Sequence, residues 1–272
     1  MPGAIRAVRV NHMNVVIEDL DASVAHLRDL YGAELVIDLP QREWRACLVH
    51  IGGVIFELFA PHAFLLNARY GPHYLGVEYQ ADMDEVRAVV AAHGVRIVRD
   101  IGLALHTHPA DGFGVSFEFY DGQFHDRDWP LLGGRIKPAA HWRDEHPLGL
   151  TGLKGYTIAV ADLDAARAFF QGFLGGEAVY ETARPAVQAR AVGLQVADAV
   201  IELLAPVGEG SLQRHLLQFG QGIRSTVFAT RDLDQARRYL IERGVDPVPG
   251  SAPDSFAAPA ASNLGLMFEF SE

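Results

Sequence analysis

Four glutamates stand where apolar side chains are expected: Glu57 in GVIFELFAP (53–61), Glu118 in GVSFEFYDG (114–122), Glu202 in AVIELLAP (199–206) and Glu269 in LGLMFEFSE (264–272). A carboxylate in an apolar strand is costly to bury alone, so each needs a cation, a set of donors or a metal ion. The first half offers a partner set. His12 precedes Glu57 by 45 residues, and His73 precedes Glu118 by the same 45. Two imidazoles and two carboxylates, placed symmetrically about a pseudo-two-fold axis, suit one borderline divalent cation with positions left for water or substrate. A lone strand histidine is ordinarily a hydrogen-bonded or exposed residue, so the repeated spacing carries the ligand reading. His50, ahead of Glu57, either lines the cavity or faces outwards. His26, His62, His93, His125, His141, His146 and His215 fall on helices or loops and read as surface.

The elements that must hold these residues repeat. NVVIEDLDASVAHLRDLYGAEL (14–35) corresponds to TIAVADLDAARAFFQGFLGGEA (157–178), and DMDEVRAVVAAHGVRIV (82–98) to DLDQARRYLIERGVDPV (232–248). Each copy reads as a short strand, an aspartate suited to cap the first helical turn, an amphipathic helix, and two or three further strands. Gly32 and Gly175 suit the helix exits, where left-handed backbone is needed. The plan is therefore α+β: four βαβββ modules, two per half, with helices on the outer face of curved sheets. The domains expected are 1–122 with the metal set, a Pro-, Gly- and His-rich connector at 123–152, and a degenerate copy at 153–272. Aligned on Asp-Leu-Asp, Gly155 falls opposite His12 and Ile223 opposite His73, so the second half keeps Glu202 and Glu269 but no imidazole. Arg224 is a candidate to balance one of those carboxylates.

Composition narrows the function classes. With 23 Lys+Arg against 34 Asp+Glu, the net charge of −11 disfavours nucleic-acid partners. The single cysteine, Cys47, lies in an apolar run and reads as a core residue. No apolar stretch is long enough to span a membrane and the first residues lack a signal-peptide pattern, so a cytoplasmic, soluble protein is expected. A small-molecule substrate is the expected partner, with no nucleic acid and no membrane. A homodimer is left open.

With these motifs in view, the chain resembles the vicinal oxygen chelate superfamily, in its two-domain form: glyoxalase I, methylmalonyl-CoA epimerase, fosfomycin-resistance proteins, extradiol dioxygenases and bleomycin-binding proteins. HPADGFGVSFE (108–118) resembles the epimerase's His-Pro to Glu ending. Gly71-Pro72-His73-Tyr74 resembles the entry of the third ligand, with Tyr74 in place of a second histidine. The resemblance implies a metal held by His12, Glu57, His73 and Glu118. In one family topology the metals are shared between halves, giving His12, Glu57 and Glu269 in one site and Glu202, His73 and Glu118 in the other. Loss of both histidines from one half is simpler if the first half closes on itself.

Such a site implies a metalloenzyme that chelates neighbouring substrate oxygens and moves a proton beside a carbonyl, as an isomerase or lyase of the glyoxalase type. The metal is one divalent ion among Zn, Ni, Co, Mn and Fe, which the sequence does not separate. By resemblance Glu118 is the base, and Glu43 is a candidate second base on the opposite face. One alternative is an Fe(II) dioxygenase using His12, His73 and Glu118 as a two-histidine-one-carboxylate triad. Another is a binding or resistance protein without catalysis.

Overall fold

Short strands and single helices alternate along the chain in the order the repeats require. The computed structural model describes residues 3–40, 44–61, 71–125 and 136–272. The first module comprises β1 (Arg9–Val16), α1 (Leu20–Tyr31), β2 (Glu34–Pro40), β3 (Trp44–Ile51) and β4 (Val54–Pro61). The second comprises β5 (His73–Gln80), α2 (Met83–His93), β6 (Ile97–Asp100), β7 (Ala104–Thr107) and β8 (Ser116–Tyr120). The third comprises β9 (Leu150–Ala159), α3 (Leu163–Leu174), β10 (Glu177–Arg184), β11 (Ala189–Val196) and β12 (Ala199–Pro206). An extra helix, α4 (Ser211–Phe219), then leads into the fourth: β13 (Gly222–Thr230), α5 (Leu233–Ile241), β14 (Val248–Pro249), β15 (Ser255–Ala258) and β16 (Met267–Ser271).

The local signals act as their chemistry dictates. Asp19, Asp82, Asp162 and Asp232 each accept a hydrogen bond from a backbone N–H in the first turn of α1, α2, α3 and α5, satisfying a donor that the helix itself leaves open. Gly32 and Gly175 take φ of 72° and 66° at the exits of α1 and α3, a region closed to most side chains.

Two eight-stranded sheets result. Their strand orders are β2-β3-β4-β1-β5-β8-β7-β6 and β10-β11-β12-β9-β13-β16-β15-β14, the same permutation twice. In each module the first and last strands run parallel, because the helix carries the chain back over the sheet, and the other pairs are antiparallel.

Packing groups the chain differently from the sheets. One compact unit takes residues 1–11, 75–123 and 155–224, and the other takes 12–74, 124–154 and 225–272. In the first, Phe117 and Phe119 of β8 pack against Phe170 and Phe173 of α3, all fully buried. In the second, Tyr31 of α1 and Phe56 of β4 pack on Phe268 of β16, while Phe228 of β13 stacks on Phe270. Each unit thus joins one module from each half, because a module's apolar helix face and sheet face need a second module to cover them.

Candidate metal centre

Register within the parallel pairs decides which side chains share a face. Asn14 of β1 lies opposite Glu57 of β4, so His12, two residues back, points to the same side as Glu57. Glu78 of β5 lies opposite Glu118 of β8. The strand position matching His12 is therefore Gly76, where a Cβ would overlap the Ser116 carbonyl oxygen and no side chain fits. The matching positions in the other modules are Gly155, opposite Val200, and Ser225, opposite Met267. The fourth module's counterpart is Ser225 and not Ile223, because register rather than helix-start spacing sets the correspondence.

In the unit that holds β5 and β8, two carboxylates meet. Glu78 and Glu118 are 2% and 7% exposed and offer oxygens within 4.8 Å of each other. The Asn11 amide donates to Glu78 Oε1 at 3.0 Å and to the Gly122 carbonyl at 3.1 Å. His106 of β7 lies opposite Glu118, and its Nε2 is 3.0 Å from Glu118 Oε1. Two like charges side by side in a low-dielectric wall favour a cation between them.

In the other unit, the His12 ring is buried, and its Nδ1 donates to Asn14 Oδ1 at 2.6 Å. With Nδ1 as the donor, Nε2 is the ring's acceptor nitrogen, the tautomer common to metal-binding histidines. Nε2 lies 3.8 Å from Glu57 Oε2, and Phe124 lies beside the ring at 5.4 Å between centroids. Leu48 and Ile55, on the same face as Glu57, continue this wall and pack with Val36 and Ile136. His73 Nδ1 donates to the Gly71 carbonyl at 2.7 Å, which likewise leaves its Nε2 as acceptor. His73 is five residues from Glu78 along β5, so its place relative to Glu118 differs from that of His12 relative to Glu57. Glu43 and His62 lie outside the described residues. His50 is buried, 3.4 Å from Glu34 Oε2 and capped edge-on by Trp142. His146 is half-buried rather than fully solvated: it packs against Trp142 and Tyr239, and burial lowers its pKa to about 4.

The second half disposes of its glutamates without a histidine. Glu202 Oε1 accepts from Arg184 Nε at 2.7 Å, from Arg184 Nη2 at 2.5 Å and from the Tyr180 hydroxyl at 3.0 Å. Its ion-pair partner is thus Arg184 of β10, where the sequence had suggested Arg224. Glu269, fully buried, accepts from Ser225 Oγ at 2.7 Å, Ser251 N at 2.6 Å and Ser251 Oγ at 2.8 Å. These donors satisfy the carboxylates that a metal would otherwise hold.

Glu78, His106 and Arg184 were missed by sequence reasoning. Glu78 had a signal, since HYLGVEYQ shows the same acidic residue in an apolar strand that marked the other four glutamates.

Comparison with known proteins agrees with this architecture. Residues 152–256 match the family model described as the Glyoxalase/Bleomycin resistance protein/Dioxygenase superfamily. A triple mutant of 4-hydroxymandelate synthase from Streptomyces coelicolor superposes with a TM-score of 0.77 at 14% identity, covering 97% of this chain and 92% of that one. The fold is that of the vicinal oxygen chelate superfamily. The Mn(II)-bound glyoxalase from Novosphingobium aromaticivorans gives a TM-score of 0.66 at 14% identity, covering 98% of this chain and 82% of that one. The 2,3-dioxygenase LapB from Pseudomonas sp. KL28 gives 0.64 at 14% identity, covering 98% and 93%. At such identity these vicinal oxygen chelate structures establish the fold and leave the reaction open. A sequence search of curated proteins returns no match. No helix among the described residues is long and apolar enough to cross a membrane.

Proposed function

We propose that this chain is a metal-dependent enzyme that binds a small substrate through two neighbouring oxygens and moves a proton at the carbon beside a carbonyl. The observation that carries the reading is the carboxylate pair: Glu78 and Glu118 are buried and bring oxygens within 4.8 Å of each other, a repulsion that a dication relieves. In the other unit, His12 Nε2 and Glu57 Oε2 stand 3.8 Å apart. Paired carboxylates are a hard, oxygen-rich donor set, which favours Mn(II) or Fe(II) over thiophilic ions. A dication there neutralises the paired carboxylates and supplies Lewis acidity for the oxyanion left when the proton departs.

The chain's own residues divide the remaining work. Asn14 holds His12 in the ligating tautomer, and Asn11 orients Glu78. Glu118 is the residue we assign as proton acceptor. Phe124, Leu48 and Ile55 form an apolar wall near His12, which excludes water from the substrate. Residues 1–122 carry this site and residues 153–272 carry none, since Arg184 already neutralises Glu202.

A second reading assigns the same carboxylate pair to Fe(II) and dioxygen; the likeness in fold to the 2,3-dioxygenase LapB supports it. The test separates the two. Protein stripped of metal is reconstituted with Mn, Fe, Zn, Ni and Co salts, then offered hydroxyketones, hydroxyacids and acyl thioesters in deuterated solvent. Deuterium entering the α-carbon, and lost in Glu118→Gln, supports proton transfer. Stoichiometric oxygen uptake with Fe(II) supports the second reading, and retention of no metal at all removes both.

A further inference from the structure

Beside the paired carboxylates stands a group that neither the repeat pattern nor the ligand set accounts for. His106 sits on β7 directly opposite Glu118, with Nε2 3.0 Å from Glu118 Oε1. Its side chain is 26% exposed, so it reaches the wall of the site without being sealed in the core. On the other side of β8, Glu78 holds the register position opposite Glu118. Glu118 is thus flanked by a carboxylate on one strand and an imidazole on the next. One of its oxygens lies within hydrogen-bond distance of the imidazole.

We propose that His106 is a positioning residue for Glu118. By donating from Nε2 to Oε1, it fixes the carboxylate's rotation and presents the second oxygen to the ion. Resting on the metal-centre reading above, this predicts that Glu118 binds through one oxygen. A one-oxygen carboxylate leaves an additional coordination position, which a substrate chelating through two oxygens requires. The hydrogen bond also offsets the repulsion between Glu118 and Glu78, so the ligand pair is held ready before any ion arrives. The module-one strand position opposite Glu57 is Leu48, an apolar residue that cannot donate. The paired strand position thus differs between the first two modules: an imidazole beside Glu118, a leucine beside Glu57.

The experiment is Mn(II) binding to the full metal-free chain, read as loss of the free-ion electron paramagnetic resonance signal and by calorimetry. His106→Leu removes the donor, and His106→Gln keeps one. Removing a hydrogen bond to a ligating group ordinarily weakens metal affinity ~10–100-fold. The expected result is a loss of that size in His106→Leu, with most of the affinity restored in His106→Gln. In a Glu118→Gln background, His106→Leu should add no further loss. Thermal unfolding of each variant shows that the chain is folded, and the Glu118→Gln comparison distinguishes positioning from general damage. If the wild-type chain binds no Mn(II), the metal-centre reading itself fails. If it binds and His106→Leu binds equally well, or the loss persists undiminished in the Glu118→Gln background, the positioning role alone is overturned.

Discussion

Glu78→Gln should stabilise the metal-free protein while removing its response to metal. Glu78 and Glu118 offer oxygens within 4.8 Å of each other, and both side chains are buried. With an effective dielectric constant of about 20, two full charges at that separation repel by roughly 3 kcal/mol. Glutamine removes one charge at almost constant volume. It also turns the Asn11–Glu78 bond into a neutral one, costing about 1 kcal/mol. The expected gain in the metal-free state is therefore on the order of 2 kcal/mol. In the presence of metal the order reverses. An ion at 100 times its dissociation constant stabilises the wild type by about 2.7 kcal/mol, whereas a variant lacking one ligand gains little. Urea unfolding at pH 8, with EDTA and then with Mn(II), measures both effects on the same two proteins. The reasoning is refuted if Glu78→Gln destabilises the metal-free chain by more than 1 kcal/mol, or if Mn(II) stabilises both proteins equally.

The remaining predictions concern the ligands and the structural substitutes for them. Elemental analysis should show one metal ion per chain in the wild type, a sharp loss in His12→Ala, and no change in Glu202→Gln; a loss in the last variant would place Glu202 at the metal. Arg184→Ala should cost about 3 kcal/mol in denaturant unfolding, because it strands the buried Glu202 carboxylate, whereas replacing Arg184 and Glu202 together by apolar residues should recover most of it. His146, held neutral by burial with a pKa near 4, binds fewer protons folded than unfolded. Stability should be fully present above about pH 6.5 and decline as pH falls toward 4; His146→Phe should flatten that slope in urea midpoints, and an unchanged slope would contradict the assignment.

What the sequence determined by itself is local or repeated. Capping aspartates, exit glycines and alternating apolar strands act within a few residues, so each announces its element wherever the chain goes next. The repetition of that pattern four times fixed the α+β class and the two copies of one sheet. That His12, Glu57 and Glu118 need partners was legible, because polar residues within apolar strands demand one. Tertiary structure decided the partners. Glu57 lies opposite a residue 43 positions earlier and Glu118 opposite one only 40 earlier, so the equal 45-residue spacings do not give His12 and His73 equivalent places. Parallel register depends on the lengths of the intervening helix, turns and strands, which motif spacing does not count. For the same reason Glu78 took the place beside Glu118, His106 arrived from a neighbouring strand, and Arg184 rather than Arg224 reached Glu202. The packing units were hidden too: each buries a module from one half against a module from the other, and such long-range pairings satisfy apolar faces that look alike in all four copies.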